Sequence, residues 1–343
     1  MVPNGVRKRV LVTGASGLIG RAVTQRLLAE NTHDIKVQVR NPTQARNDVG
    51  NIIDFTRVQL EEADFTRVGD REMRLLTKGC DVIVHAAGLV HQADAPYQEY
   101  EVINVRATQL LAEAAAQNSV KTLIFLSSSA IYGPGPFDRI SETGPLKAVT
   151  PYAVSKMTSE NWLQQFKGIP KLVILRPSLV FGEGDRGNLL SLMRNIKQNK
   201  YKHIGSADTA KSMIYSKDLA RAISLCINNL PDGVHIFNVA NPEPVPVKTL
   251  ADTIARVMQH TAGNSGVKKI SSVPEGVFRI GVKAAELFMQ DKSPITMDQV
   301  NKLTTTTTTS VTKLVSATGF QPKTSLDDAI LAEIEWASSH DLL

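Results

Sequence analysis

Three residue types in this chain have the spacing to move a proton. Tyr152-Ala153-Val154-Ser155-Lys156 sets a phenol and an ammonium four residues apart, hence on one face of a helix. A free phenol titrates near pH 10 (about 10) and is a poor acid or base at neutrality, but a neighbouring ammonium favours the phenolate. Upstream, Phe125-Leu126-Ser127-Ser128-Ser129-Ala130-Ile131-Tyr132-Gly133 ends an apolar run in consecutive hydroxyls. At the carboxyl edge of an open α/β sheet, where ligands bind, those hydroxyls can polarise a substrate oxygen.

A second cluster is built to hold rather than react. Thr13-Gly14-Ala15-Ser16-Gly17-Leu18-Ile19-Gly20 follows an apolar strand and opens an amphipathic helix, with glycines at 14, 17 and 20. This is the first strand-to-helix turn of a dinucleotide fold. Its glycines allow the tight turn, the approach of backbone to pyrophosphate and close packing of helix on strand. Gly14, Ser16, Gly17, Leu18, Ile19 and Gly20 are therefore the expected cofactor turn. The next strand ends Val37-Gln38-Val39-Arg40-Asn41 with no carboxylate for a ribose 2′-hydroxyl. Arg40 can instead clasp a 2′-phosphate, which favours NADP over NAD. Asp64, just beyond the third strand, is a candidate for the adenine amino group or, equally, a cap.

The elements that position these groups are legible as alternation. Apolar runs at Arg9–Thr13, Ile35–Val39, Phe55–Leu60, Asp81–His85 and Lys121–Ser128 alternate with helical spacing at Ile19–Glu30 and Val102–Gln117. Further strands are expected at Lys171–Leu175 and His235–Val239, and further helices at Val247–His260 and Ser325–Ser338. The pattern implies an α/β fold: a Rossmann-type doubly wound parallel sheet with a smaller carboxyl-terminal substrate-binding lobe. Residues 1–175 are read as the NAD(P)-binding domain and residues 176–343 as mainly the lobe, with part of the chain returning to complete the sheet. Ala262–Val267 reads as a Gly/Ser-rich connection and the tract Thr304–Thr309 as structural or loop.

Composition excludes several classes. The 39 basic and 33 acidic residues, a formal charge of +6, are mixed along the chain rather than gathered into a nucleic-acid stripe. The densest basic run, Arg194 to His203, reads as a solvated helix face and its following turn. Cys80 and Cys226 lie far apart without metal-ligand spacing, so neither a disulfide framework nor a metal site is expected, and His85 reads as a packed strand-end residue. No run approaches the about 18 apolar residues of a membrane span. A cytoplasmic protein is expected.

Taken together, TGASGLIG, HAAG at His85 to Gly88, NVRAT from Asn104, SSSAIYG, YAVSK and RPSLVFG from Arg176 resemble the extended short-chain dehydrogenase/reductase family, and within it the nucleotide-sugar epimerase and reductase branch. The likeness runs in family order through the first 182 residues, and Gly187-Asn188-Leu189 and Tyr215-Ser216-Lys217-Asp218-Leu219 extend it. It implies that Tyr152 is the acid/base and that Lys156 holds the ribose and lowers the tyrosine pKa. Ser128, four before Tyr132, orients the substrate oxygen. Ala86, Ala87, Gly88 and Pro177 line the cofactor, and Asn104 holds the active-site backbone. Ser129, Asn188 and Lys211 meet the substrate, Lys211 standing where the family has an arginine. A homodimer formed through the helices Val102–Gln117 and Tyr152–Phe166 is also implied.

The implied activity is hydride transfer at C4 of a nucleotide-linked hexose, with UDP the first carrier to expect, as a 4-epimerase or a 4-keto-6-deoxy-sugar reductase. Gly88-Leu89-Val90-His91 and Gly184–Asn188 resemble the reductases, whereas SSSAIYG suits epimerases equally. Rivals are a reductase of a steroid, flavonoid or aldehyde, and a non-catalytic NADP sensor.

Overall fold

A computed structural model describes residues 7–90, 95–204, 209–261, 266–276, 278, 301 and 304–343. Its centre is a seven-stranded parallel sheet: β1 (Lys8–Thr13), β2 (His33–Val39), β3 (Gln59–Glu62), β4 (Val82–His85), β5 (Thr122–Leu126), β6 (Lys171–Pro177) and β7 (Gly233–Val239). The spatial order is β7-β6-β5-β4-β1-β2-β3. The order reverses between β1 and β4, and the crevice outside the carboxyl ends of those two strands is where such sheets bind ligands.

Side-chain alternation explains the two helical layers. On β1, β4, β5 and β6 the residues Val10, Val12, Val82, Val84, Ile124, Leu126, Val173 and Leu175 enter one core. Their neighbours Leu11, Ile83, Leu123, Phe125, Leu172 and Ile174 enter the other. A strand buried on both faces reads as a continuous apolar run, which is why these strands are visible in the sequence. The first core is closed by α1 (Leu18–Glu30) and the helix Ser216–Asn229, the second by α2 (Ala107–Gln117) and α3 (Pro151–Gln165).

A third core gathers Phe181, Met193, Met213, Leu250, Ile254, Ile330 and Ile334 beside the sheet. It draws on the helices Asn188–Lys197, Val247–His260 and Leu326–Ser339. A four-stranded sheet, Val245–Pro246, Ala210–Lys211, Thr307–Thr309 and Phe137–Ile140, lies on this side.

Two expectations need correction. The third strand lies at Gln59–Glu62, not Phe55–Leu60; Phe55 packs against the first core from a turn. Within the tract read as structural or loop, threonines 307–309 take the structural form, a paired strand, since β-branched side chains suit one. His203 is not part of a solvated turn: it is buried, 3.0 Å from Asp252 Oδ1. His91 and residues 262–265 fall outside the described residues.

Candidate active site

The glycine turn is seated by β2 and by the loop after β4. Gly14 N donates to Gln38 Oε1 at 2.9 Å, and Gln38 Nε2 donates to Ala63 O at 2.6 Å, so one amide side chain ties the turn to two strand ends. Gly14 has φ +66°, and a Cβ there would come 2.7 Å from Ala87 Cα, so only glycine fits both the conformation and the approach. Gly17 opens α1 without any side-chain cap. The helix therefore presents backbone N–H groups, with Ser16, Leu18 and Ile19 around them, as an anion cradle.

His85 shows why the loop after β4 is rigid. Its Nδ1 lies 2.8 Å from Thr13 Oγ1 and its Nε2 3.0 Å from Thr108 Oγ1, while Thr108 donates to Asn104 O. With the Thr108 proton committed, Nε2 carries the hydrogen and Nδ1 accepts from Thr13. Burial, helped by Lys156, pushes the histidine pKa down to about 3, so it is a neutral packing residue.

Asn104 sits in a π-helical stretch, Glu101–Arg106, that leads into α2. The widened turn aims its side chain inward: Oδ1 accepts from Leu89 N at 2.7 Å, and Nδ2 donates to Leu89 O and Ser155 Oγ at 3.0 and 2.9 Å. It thus fixes the loop of Ala86, Ala87 and Gly88 to the helix that carries Tyr152.

That helix, α3, starts cleanly. Thr150 Oγ1 accepts from Ala153 N, and Pro151 occupies the first turn. Tyr152 and Lys156 follow one turn apart, and Tyr152 hydrogen-bonds Ser128. Lys156 is 5% exposed and donates to Leu126 O at 2.9 Å, its Nζ 6.0 Å from the Tyr152 ring centroid. Burial lowers the lysine pKa to about 8. Burial also raises the Tyr152 pKa, with the Ser128 hydrogen bond opposing. The phenol is therefore protonated at neutral pH, with burial the dominant influence on it.

Behind the triad lies a network that motif spacing left unassigned. Arg176 pairs with Glu160 at 2.7 Å, both essentially fully buried, and also donates to Tyr132 Oη at 2.8 Å. Tyr132 in turn donates to Asn238 Oδ1 at 2.7 Å. Glu160 stands eight residues after Tyr152 on the same helix face, the one signal that could have found it. Tyr100, whose ring meets Tyr152 edge-on at 6.4 Å, was also missed.

The structure brings together Ser128, Tyr152, Lys156, Gly88 and Asn104; a Cβ on Gly88 would lie 3.2 Å from Lys156 Nζ and 3.0 Å from Asn104 Oδ1. Ser129 begins the short 3-10 turn to Tyr132, and Pro177 is buried at the end of β6. Arg40 is exposed after β2. Asp64 accepts from Thr66 N and Oγ1 at 3.0 and 2.9 Å, and these bonds with Arg40 and Arg67 hold its carboxyl low against burial. Asn188 is exposed at the start of its helix. Lys211 donates to Thr305 O and Thr307 Oγ1 at 2.6 and 3.1 Å, and burial lowers its pKa to about 8.

These residues fit a dinucleotide. The uncapped α1 terminus suits its pyrophosphate, the Gly14–Ala87 contact leaves the cradle open, and the buried Lys156 ammonium has one protein acceptor and donors to spare for ribose hydroxyls. Among the described residues no histidine, cysteine or carboxylate group could hold a metal ion, and no helix is long and apolar enough to cross a membrane.

Comparison with known proteins agrees. The chain is 24% identical over 349 residues, covering 97% of both chains, to N-acetyl-alpha-D-glucosaminyl-diphospho-ditrans,octacis-undecaprenol 4-epimerase of Escherichia coli O157:H7. It is 26% identical over 299 residues, 82% of this chain and 92% of the other, to the uncharacterized UDP-glucose epimerase YtcB of Bacillus subtilis. The UDP-glucuronic acid 4-epimerase of Bacillus cereus, solved with NAD, shares the fold with a TM-score of 0.76 at 20% identity over 97% of this chain and 99% of that one. The family model described as "NAD dependent epimerase/dehydratase family" matches residues 10–240, so with the glycine cradle and the Ser128-Tyr152-Lys156 cluster in place, the chain belongs to the NAD dependent epimerase/dehydratase family.

Proposed function

We propose that this protein inverts C4 of a hexose carried on a nucleoside diphosphate, UDP in the first instance, as a 4-epimerase. The observation that carries the reading is the Ser128–Tyr152 hydrogen bond with the buried Lys156 ammonium one turn along α3. A bound oxidised nicotinamide supplies a hydride acceptor and a positive charge beside the phenol. Tyr152 takes the proton of the C4 hydroxyl as the alcohol is oxidised and returns it after the keto sugar has turned over. Ser128 holds the same oxygen and shares the developing charge. Lys156, anchored by Leu126 O, binds the ribose and offsets the phenolate.

We take the dinucleotide to be NAD, in line with the family name and the Bacillus cereus neighbour. The preference for NADP suggested by Arg40 gains no support from these proteins. An affinity for NADP at least that for NAD, lost on Arg40→Ala, would restore it. Residues 1–175 bind the dinucleotide and residues 176–343 supply mainly the lobe, with Ser129, Asn188 and Lys211 on the substrate side. The same family logic makes the protein a cytoplasmic homodimer through α2 and α3; monomers in ultracentrifugation at micromolar concentration would contradict it.

The test is incubation with UDP-hexoses, UDP-N-acetylhexosamines and their 4-keto-6-deoxy derivatives. Inversion of a sugar without net change in nicotinamide absorbance is expected. Stoichiometric consumption of reduced cofactor would select a 4-keto reductase instead.

A further inference from the structure

Arg21 is a buried guanidinium at the cleft with carboxylates near it but no hydrogen bond to any described residue. It is 7% exposed, yet its side chain makes no hydrogen bond or close ion pair with the described residues. Burial pushes its pKa down, Glu183 and Asp185 pull the other way, and Arg186 adds repulsion. Neither closes an ion pair with it: Glu183 accepts from Tyr215 Oη and Lys217 Nζ at 2.7 and 2.6 Å, and Asp185 Oδ1 accepts from Gly187 N at 2.8 Å. A buried charge without an acceptor is unfavourable unless a ligand supplies one.

Its position says which ligand. Arg21 follows Gly20 in the first turn of α1, whose terminus lacks a side-chain cap. Its guanidinium ends against Gly184, where a methyl group would sit 1.7 Å from Nη2 and 2.2 Å from both Nη1 and Cζ. Gly184 has φ +90° and belongs to the loop that runs into the helix at Asn188. The guanidinium therefore stands between the cofactor turn and the substrate-side loop, a permanent planar cation of the kind that meets phosphate oxygens.

We propose that Arg21 is a diphosphate ligand, held in place by the glycine seat at 184. The inference rests on the reading above, in which both the dinucleotide and the sugar carrier present a diphosphate, and either can be the source.

The experiment compares wild type with Arg21→Gln, Arg21→Lys and Gly184→Ala, the last displacing the guanidinium without removing it. Three quantities are read: the rate of NAD release from loaded protein, the affinity for UDP by calorimetry, and the ligand-free thermal midpoint. Arg21→Gln is expected to speed NAD release or weaken UDP at least about tenfold, with Arg21→Lys recovering part and Gly184→Ala following Arg21→Gln. Faster NAD release assigns the cofactor diphosphate, and weaker UDP binding assigns the sugar carrier. Changes below twofold in both, with or without a shift in the ligand-free midpoint, overturn the proposal and leave Arg21 a packing residue. Failure of the epimerase reading is separate, since it appears in wild type as no inversion of any sugar.

Discussion

The buried polar groups behind Tyr152, Ser127 Oγ excepted, and those of the seam beside the lobe are satisfied in opposite ways. Behind Tyr152, Arg176 has Glu160, Tyr132 and the Glu142 carbonyl, Asn104 has Leu89 and Ser155, and His85 has two threonines. At the seam, Arg21 has no hydrogen-bond acceptor among the described residues, and Glu333, fully buried on the helix Leu326–Ser339, has no close side-chain partner and at most the distant backbone N–H of Gly182. A closed network fixes geometry before any ligand arrives, which suits groups that transfer a proton. Open polar groups hold free energy that a ligand or a proton must release. On the proposed reading, catalytic geometry resides in the first region and response to ligand in the second.

The largest break in this contrast is Tyr152→Phe. Removing one hydroxyl should lower turnover by about 10²- to 10⁴-fold, with NAD content and thermal midpoint retained because the surrounding network is closed without it. Unchanged turnover in steady-state assays would remove the mechanism.

Next is Glu160→Gln, which leaves the Arg176 charge buried against a neutral amide. A loss of about 3–5 kcal/mol in denaturant unfolding is expected, the cost of breaking a buried pair from one side. A loss below 1 kcal/mol (about 1, the scale of an exposed pair) would mean that the two regions do not differ in kind.

The same contrast decides what could be read from sequence. The Tyr152-Lys156 spacing, the glycine turn and the apolar strands are local patterns, and local patterns survive without coordinates. The pairings that define the seam are distant in sequence: Arg21 meets Gly184, and Lys211 meets Thr305. His203 reads as part of a basic surface run until Asp252 is placed 3.0 Å away. Gln38 carried no signal, since an amide that bridges Gly14 N and Ala63 O looks like any strand-end glutamine. Asn104 was legible as a motif residue, but the π-helical turn that aims it inward was not.

A smaller effect is expected at Glu333. Burial, with Asp185 next, pushes its pKa up to about 9. The folded state therefore holds a proton that the unfolded state gives up above about pH 4.3, and stability falls as pH rises from there toward 9. The contribution at pH 7 is at most about 4 kcal/mol. Glu333→Gln should flatten the fall in thermal midpoint between pH 5 and pH 8.5. Parallel curves for the two proteins would show that Glu333 does not carry this linkage.

Lys211 supplies the smallest test and the opposite sign. Burial lowers its pKa from 10.5 to about 8, so the unfolded chain binds the extra proton between those values and stability rises with pH across that window. Lys156 moves in the same direction, so only substitution separates the two. Lys211→Met removes the cost of a desolvated ammonium but also the bonds to Thr305 O and Thr307 Oγ1. These opposing changes should leave the midpoint at pH 7 within about 1 kcal/mol of wild type, while the gain between pH 8 and pH 10 shrinks. A large loss at pH 7 with the pH 8–10 gain intact would place Lys211 with the closed networks of the sheet half, because its hydrogen bonds would then outweigh the charge they hold.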